Sequence, residues 1–157
     1  MTTQLTTSPP TDSPPTTTSA RIEHFASKLR FETDPSDVHA DLEAGTRFVL
    51  IDSRGDAAWR QGRAIGAIHM PTASIAERAP LEIPLDVAVV TYCWGPGCNG
   101  ATRAALEFAK LGYEVREMIG GYEYWVREGY PAENQAGHLH RDKDELTAPL
   151  SAISCDC

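Results

Sequence analysis

Three short apolar runs constrain this chain more than any other feature. Phe48-Val-Leu-Ile51 and Val87-Ala-Val-Val-Thr-Tyr92 are continuous runs too brief for a core helix, and Val115 to Ile119 is a third run. Such runs fit strands buried on both faces. Between the second and third, Ala101 to Leu111 has helical spacing and is closed by Gly112. Strand, helix and strand in this order predict an α/β fold: a parallel sheet flanked by helices on both faces. Ligands of such sheets gather at the carboxyl ends of the strands. The first run ends at Asp52-Ser53-Arg54, the second at Cys93 and the third at Gly120-Gly121. Asp52 and Cys93 therefore share one end of the sheet.

The remaining chain sorts around this core. Residues 1–19 are Thr, Ser and Pro with almost nothing to bury, so a disordered segment is expected there. The folded domain is expected over residues 20–133, a single domain as suits 157 residues. Ile22, Phe25, Ala26 and Leu29 form one helical stripe, read as a helix packing on the core. Asp34-Pro35 opens a second helix that carries Val38 and Leu42 and ends near Gly45. Residues 134–157 read as a polar tail in which Arg141 to Glu145 face solvent, ending in Cys155 and Cys157.

Charge and hydropathy narrow the function. A net charge of −8 argues against nucleic acid as the main partner and against anionic lipid. No apolar run approaches the roughly 20 residues of a membrane span. The first twenty residues hold no Lys or Arg and no apolar segment, so no secretory signal is read and a cytoplasmic protein is expected. In a reducing compartment the four cysteines point to catalysis, metal or redox work rather than to structural bridges. Cys155-Asp-Cys157 lacks further ligands at zinc spacing, so no metal site and no cofactor is expected. His24, His39, His69, His138 and His140 form no signature, and Tyr122, Tyr124 and Trp125 read as core aromatics.

The chemistry concentrates in Cys93-Trp94-Gly95-Pro96-Gly97-Cys98-Asn99-Gly100, which links a buried strand to a helix. Its Gly and Pro content lets the backbone curl, so that amides of Trp94 to Gly100 can face the Cys93 sulfur with the helix N-terminus behind them. That setting favours a thiolate, the nucleophilic form. Cys98, five residues on, either comes within disulfide reach and resolves a sulfur species on Cys93 or merely fills the loop.

Five ordered elements resemble the rhodanese family. They are Val49-Leu-Ile-Asp52-Ser-Arg54, Gly66-Ala-Ile-His-Met-Pro71, the Cys93 loop, Gly120-Gly-Tyr-Glu-Tyr-Trp125 and Gly129-Tyr-Pro131. The resemblance implies a rhodanese-like parallel sheet in a single domain and a sulfurtransferase activity. Cys93 would take sulfane sulfur as a persulfide from thiosulfate, 3-mercaptopyruvate or a protein persulfide. A thiol or cyanide acceptor would then remove it. Asp52 and Arg54 match the family's Asp-x-Arg and read first as a structural ion pair beside the loop.

The loop also departs from the family. It is longer than usual, and Cys93 to Asn99 contains no Lys or Arg, where family loops often end in Arg. A dianionic donor finds little to bind there, and phosphate-ester or arsenate chemistry lacks the Arg it needs. A bulkier or less charged donor suits the loop better. The competing reading is a non-catalytic binding or redox-sensing module using Cys93 and Cys98. Oligomeric state is left open by the sequence.

Overall fold

The computed structural model describes residues 17–147. Its main sheet is the parallel one the apolar runs predict. The strands are β1 (Glu32–Thr33), β2 (Phe48–Asp52), β4 (Ile68–His69), β5 (Ala88–Tyr92) and β6 (Val115–Met118), in the order β1-β6-β5-β2-β4. Register pairs Phe48 with Ala88 and Asp52 with Tyr92, so β2 and β5 finish level with one another.

Alternation along the strands fills two cores. Ile51 and Val89 pack with Met70, Ile75, Ala79 and Phe108 on one face. Leu50 and Val90 pack with Val38, Tyr92, Met118 and Trp125 on the other. The first core is roofed by α4 (Ile75–Glu82) and α5 (Gly100–Lys110), the second by α2 (Pro35–Glu43) and α6 (Gly121–Arg127). Burying apolar surface on both sides of one sheet, at about 25 cal/mol per Å², is the main stabilising term for this arrangement. Asp34 caps α2 as the sequence predicts, accepting from the Asp37 N–H at 2.9 Å, with Pro35 in the first turn. α3 (Asp56–Gln61) follows β2.

Two expectations are corrected. α1 (Thr18–Phe31) exists, but its stripe does not pack on the core: Ile22 is 65% exposed and Leu29 84%. α1 lies against β1 and β6 beside α5, at the margin of the sheet, and buries no residue fully. It also starts inside the stretch read as disordered, because Thr17 caps it by accepting from the Ala20 N–H at 3.1 Å. Residues 1–16, the rest of that stretch, lie outside the described residues.

The polar segment past residue 133 is largely exposed as expected, Arg141, Asp142 and Glu145 included, but its first part is structured. β3 (Arg63–Ala64), β7 (Ala132–Asn134) and β8 (Gly137–Leu139) form a small antiparallel sheet. Beyond it, Asp144 accepts from Arg127 Nη1 at 2.6 Å and returns its own N–H to the Arg127 carbonyl. Backbone pairing and a specific ion pair hold what charge composition alone reads as a tail. Cys155 and Cys157 lie outside the described residues. Among those described, no helix is long and apolar enough to cross a membrane.

Candidate active site

Cys93 is the first residue beyond β5 and is 7% exposed. The hydroxyl of Ser53, just past β2, donates to the Tyr92 carbonyl at 2.7 Å, and Thr91 Oγ1 donates to the Ala101 carbonyl at 3.0 Å. These bonds tie the end of β2 and the start of α5 to the strand that carries the cysteine. The first turn of α6 closes the other side: Tyr122 N–H donates to the Cys93 carbonyl at 2.9 Å and Glu123 N–H to the Trp94 carbonyl at 2.7 Å. That approach needs Gly121, whose φ is +59° and whose β-carbon would lie 2.6 Å from the Cys93 carbonyl oxygen.

The loop sulfur is not ringed by amides as the sequence suggests. Cys93 is disulfide-bonded to Cys98, with Cα atoms 6.4 Å apart. The Cys98 N–H donates to the Gly95 carbonyl at 3.0 Å, a local turn, and Gly100 N–H donates to Cys98 Sγ at 3.4 Å. The open question about Cys98 thus resolves toward disulfide reach.

Asp52 and Arg54 form the buried pair expected beside the loop. Arg54 Nε and Nη2 donate to the two Asp52 carboxylate oxygens at 2.9 and 2.6 Å, and Nη2 also reaches the Gly62 carbonyl at 2.7 Å. Tyr92 donates its hydroxyl to Asp52 Oδ2 at 2.6 Å. The guanidinium lies between two rings, 4.5 Å from the centre of Trp94 and 4.4 Å from that of Tyr122. Burial opposes the charge of Arg54, but the hydrogen bond and attraction of Asp52 outweigh it and hold the group above its ordinary value. Burial, then the Asp52 charge, raises Tyr92 well above the usual phenol range, so it remains a donor. Arg54 is absent from the residues lining the cavity beside Cys93. Its charge is consumed by Asp52, and what it contributes is a platform under Trp94.

That cavity encloses about 420 Å³. Cys93, Gly95, Pro96 and Cys98 form one wall, and Met118 to Gly121 form the floor. Tyr124, Tyr130, Lys143 and Thr147 complete it. Three carboxylates, Asp34, Glu117 and Glu128, line it against Lys143, the single cation among the described lining residues. Burial pushes Glu117 upward, with Glu32 adding to it, and burial plus Asp34 does the same to Glu128. Burial and the neighbouring Glu128 push Tyr130 up to about 12.

Sequence reasoning misses most of this lining. Tyr124, expected in the core, faces the cavity, whereas Trp125 is core, donating Nε1–H to the Pro131 carbonyl at 2.8 Å. Glu117 is the most legible of the missed residues, since it stands near the carboxyl end of a buried strand. His69 packs on Trp59 and pairs with the Arg54 carbonyl at 2.9 Å, away from the sulfurs. Among the described residues no His, Cys, Asp or Glu grouping suits a metal ion.

A buried strand-end cysteine in a Gly-rich loop before a helix, on a parallel sheet covered on both faces, defines a class of cysteine-loop α/β domains. The rhodanese-like domain family model matches residues 34–128. The chain belongs to the rhodanese-like domain family. It is 34% identical to the thiosulfate sulfurtransferase GlpE of Actinobacillus succinogenes over 90 residues, 57% of this chain and 78% of that one. To the GlpE of Pseudomonas putida F1 it is 28% identical over 69% of this chain and 96% of that one. The HTH-type transcriptional regulator Rv0324 of Mycobacterium tuberculosis is 33% identical over 100 residues, and the chain spans 43% of its length. Among solved structures, the BH2092 protein of Bacillus halodurans superposes with a TM-score of 0.69 at 34% identity, covering 86% of this chain and 93% of that one.

Proposed function

We propose that this protein is a sulfurtransferase that carries sulfane sulfur as a persulfide on Cys93, taken from a donor of low negative charge and given to a thiol acceptor. The observation that carries the reading is the position of Cys93: at the carboxyl end of β5, before the N-terminus of α5, and opening on a cavity. Family membership and the sulfurtransferases among the relatives support the same chemistry.

With the disulfide reduced, the Cys93 thiolate attacks the outer sulfur of the donor. A new S–S bond forms, the donor's bond to that sulfur breaks, and the leaving group departs with the electron pair, as sulfite when the donor is thiosulfate. An acceptor thiol or cyanide then takes the outer sulfur and restores the thiolate. Gly95, Pro96 and Cys98 form the loop wall the donor meets. Asp52 and Arg54 act as positioning residues through Trp94. The carboxylates of Asp34, Glu117 and Glu128 repel a dianion, which favours 3-mercaptopyruvate or a protein persulfide over thiosulfate.

Intact mass spectrometry of reduced Cys98→Ser protein after incubation with thiosulfate, 3-mercaptopyruvate or a protein persulfide tests this. The expected result is a gain of about one sulfur atom, removed by cyanide and absent when Cys93→Ser is added. No gain with either donor or with a protein persulfide sinks it. The Cys93–Cys98 disulfide then favours the second reading, a redox-responsive module without sulfur transfer.

A further inference from the structure

We propose that the site has a further activity, reductive release of the bound sulfur as hydrogen sulfide, with Cys98 as resolving thiol and an external thiol reductant completing the cycle. This rests on the Cys93 persulfide reading and extends it to the fate of the sulfur.

The native fold holds Cys93 and Cys98 bonded while β5 and α5 keep their regular structure on either side. Space for the pair is made by Gly100. A β-carbon at that position would lie 2.5 Å from Cys93 Sγ and 3.3 Å from Cys98 Sγ. Gly100 is not among the residues with positive φ, so the missing side chain answers to volume and not to backbone conformation. Its N–H, at the head of the 11-residue helix α5, donates to Cys98 Sγ at 3.4 Å and favours negative charge on that sulfur. Loop, glycine and helix end are all arranged around two sulfurs, where a carrier needs one.

The step balances within the loop. In the persulfide form, Cys93 Sγ is the inner sulfur and the outer sulfur is anionic. Cys98 attacks the inner sulfur, the Cys93 Sγ–Cys98 Sγ bond forms, and the bond to the outer sulfur breaks. The electron pair leaves with the outer sulfur, which takes the Cys98 thiol proton and departs as HS⁻. The sulfane sulfur gains two electrons as two thiols become one disulfide. A small thiol, or the dithiol of a thiol–disulfide oxidoreductase, returns those electrons and is itself oxidised to a disulfide. Cys98 is the more exposed sulfur-bearing residue, Cys93 being buried, so the reductant meets Cys98 and frees Cys93 as the thiolate.

The test uses the full chain with Cys155→Ser and Cys157→Ser, so that only the loop sulfurs report. Pre-reduced protein, free of other thiols and of oxygen, receives one equivalent of thiosulfate in one arm and of 3-mercaptopyruvate in another. Sulfide and intact mass are read together. The expected outcome is about one equivalent of sulfide from protein carrying Cys98, ending lighter by two hydrogens, and a sulfur-loaded, sulfide-silent Cys98→Ser. Cys98→Ala serves as a second variant, with circular dichroism confirming the fold of both. A stable persulfide on protein with Cys98 and no sulfide overturns this inference while leaving the transferase reading intact. Absence of a persulfide even in Cys98→Ser overturns both.

Discussion

Gly100 sits against the Cys93 sulfur so closely that a single methyl group would contest the space, at 2.5 Å. Gly100→Ala is therefore expected to act oppositely on the two redox forms. Ala favours the first turn of α5 by up to about 1 kcal/mol, which helps the reduced form. The oxidised form meets the clash. Equilibration in glutathione buffers should show the Cys93–Cys98 bond about tenfold easier to reduce in the variant. An unchanged redox equilibrium would mean that the loop moves freely away from α5.

The Asp52–Arg54 pair is 0% and 1% exposed at its side chains, and removing either partner strands the other charge. Asp52→Asn and Arg54→Leu should each lose about 3–5 kcal/mol in urea denaturation. Replacing both should cost less than the sum, since neither charge is then left alone. Tyr92→Phe, which takes one donor from Asp52 and leaves the ion pair, should lose about 1–3 kcal/mol.

Gly121→Ala should be among the most damaging single changes in the chain. It combines a left-handed φ of +59° with a β-carbon 2.6 Å from the Cys93 carbonyl oxygen. A loss of about 3 kcal/mol or more is expected, with faster proteolysis in the Cys93 loop. Stability close to the parent would show that α6 pivots off the loop at little cost.

The raised carboxyls of Glu117 and Glu128 give a pH signature. Each stays protonated into a range where an ordinary Glu is ionised, so its contribution to stability is full below the unfolded value. That contribution is lost as pH rises through the raised one. The cavity becomes more negative over the same interval. The kcat/KM for thiosulfate, relative to that for an uncharged organic trisulfide, should fall as pH rises through it. The double variant Glu117→Gln, Glu128→Gln should flatten that ratio several-fold and lessen the pH dependence of the thermal midpoint.

The sheet is legible in the sequence because its two central strands are apolar on both faces, a pattern few other structures tolerate. Cys93 is legible because Gly95, Pro96, Gly97 and Gly100 punctuate the strand end. The edge of the molecule is not. The stripe Ile22, Phe25, Leu29 has the period of a buried helix, yet α1 meets only the margin of the sheet and leaves it in solvent. α4 contains Pro80, which hides its helical pattern. The carboxylates of the cavity come from the start of α2, the end of β6 and the end of α6, distant in sequence and joined only by topology.

The family match ends at residue 128, but Tyr130, Lys143 and Thr147 lie beyond it and close the cavity. The buckle between Arg127 and Asp144 fastens that closing segment to the last helix of the shared core. Relatives that share the cysteine loop thus need not share the lid over it. A protein trimmed at the family boundary would keep all three carboxylates and lose Lys143, so its opened cavity would turn dianions away more strongly than that of the whole chain.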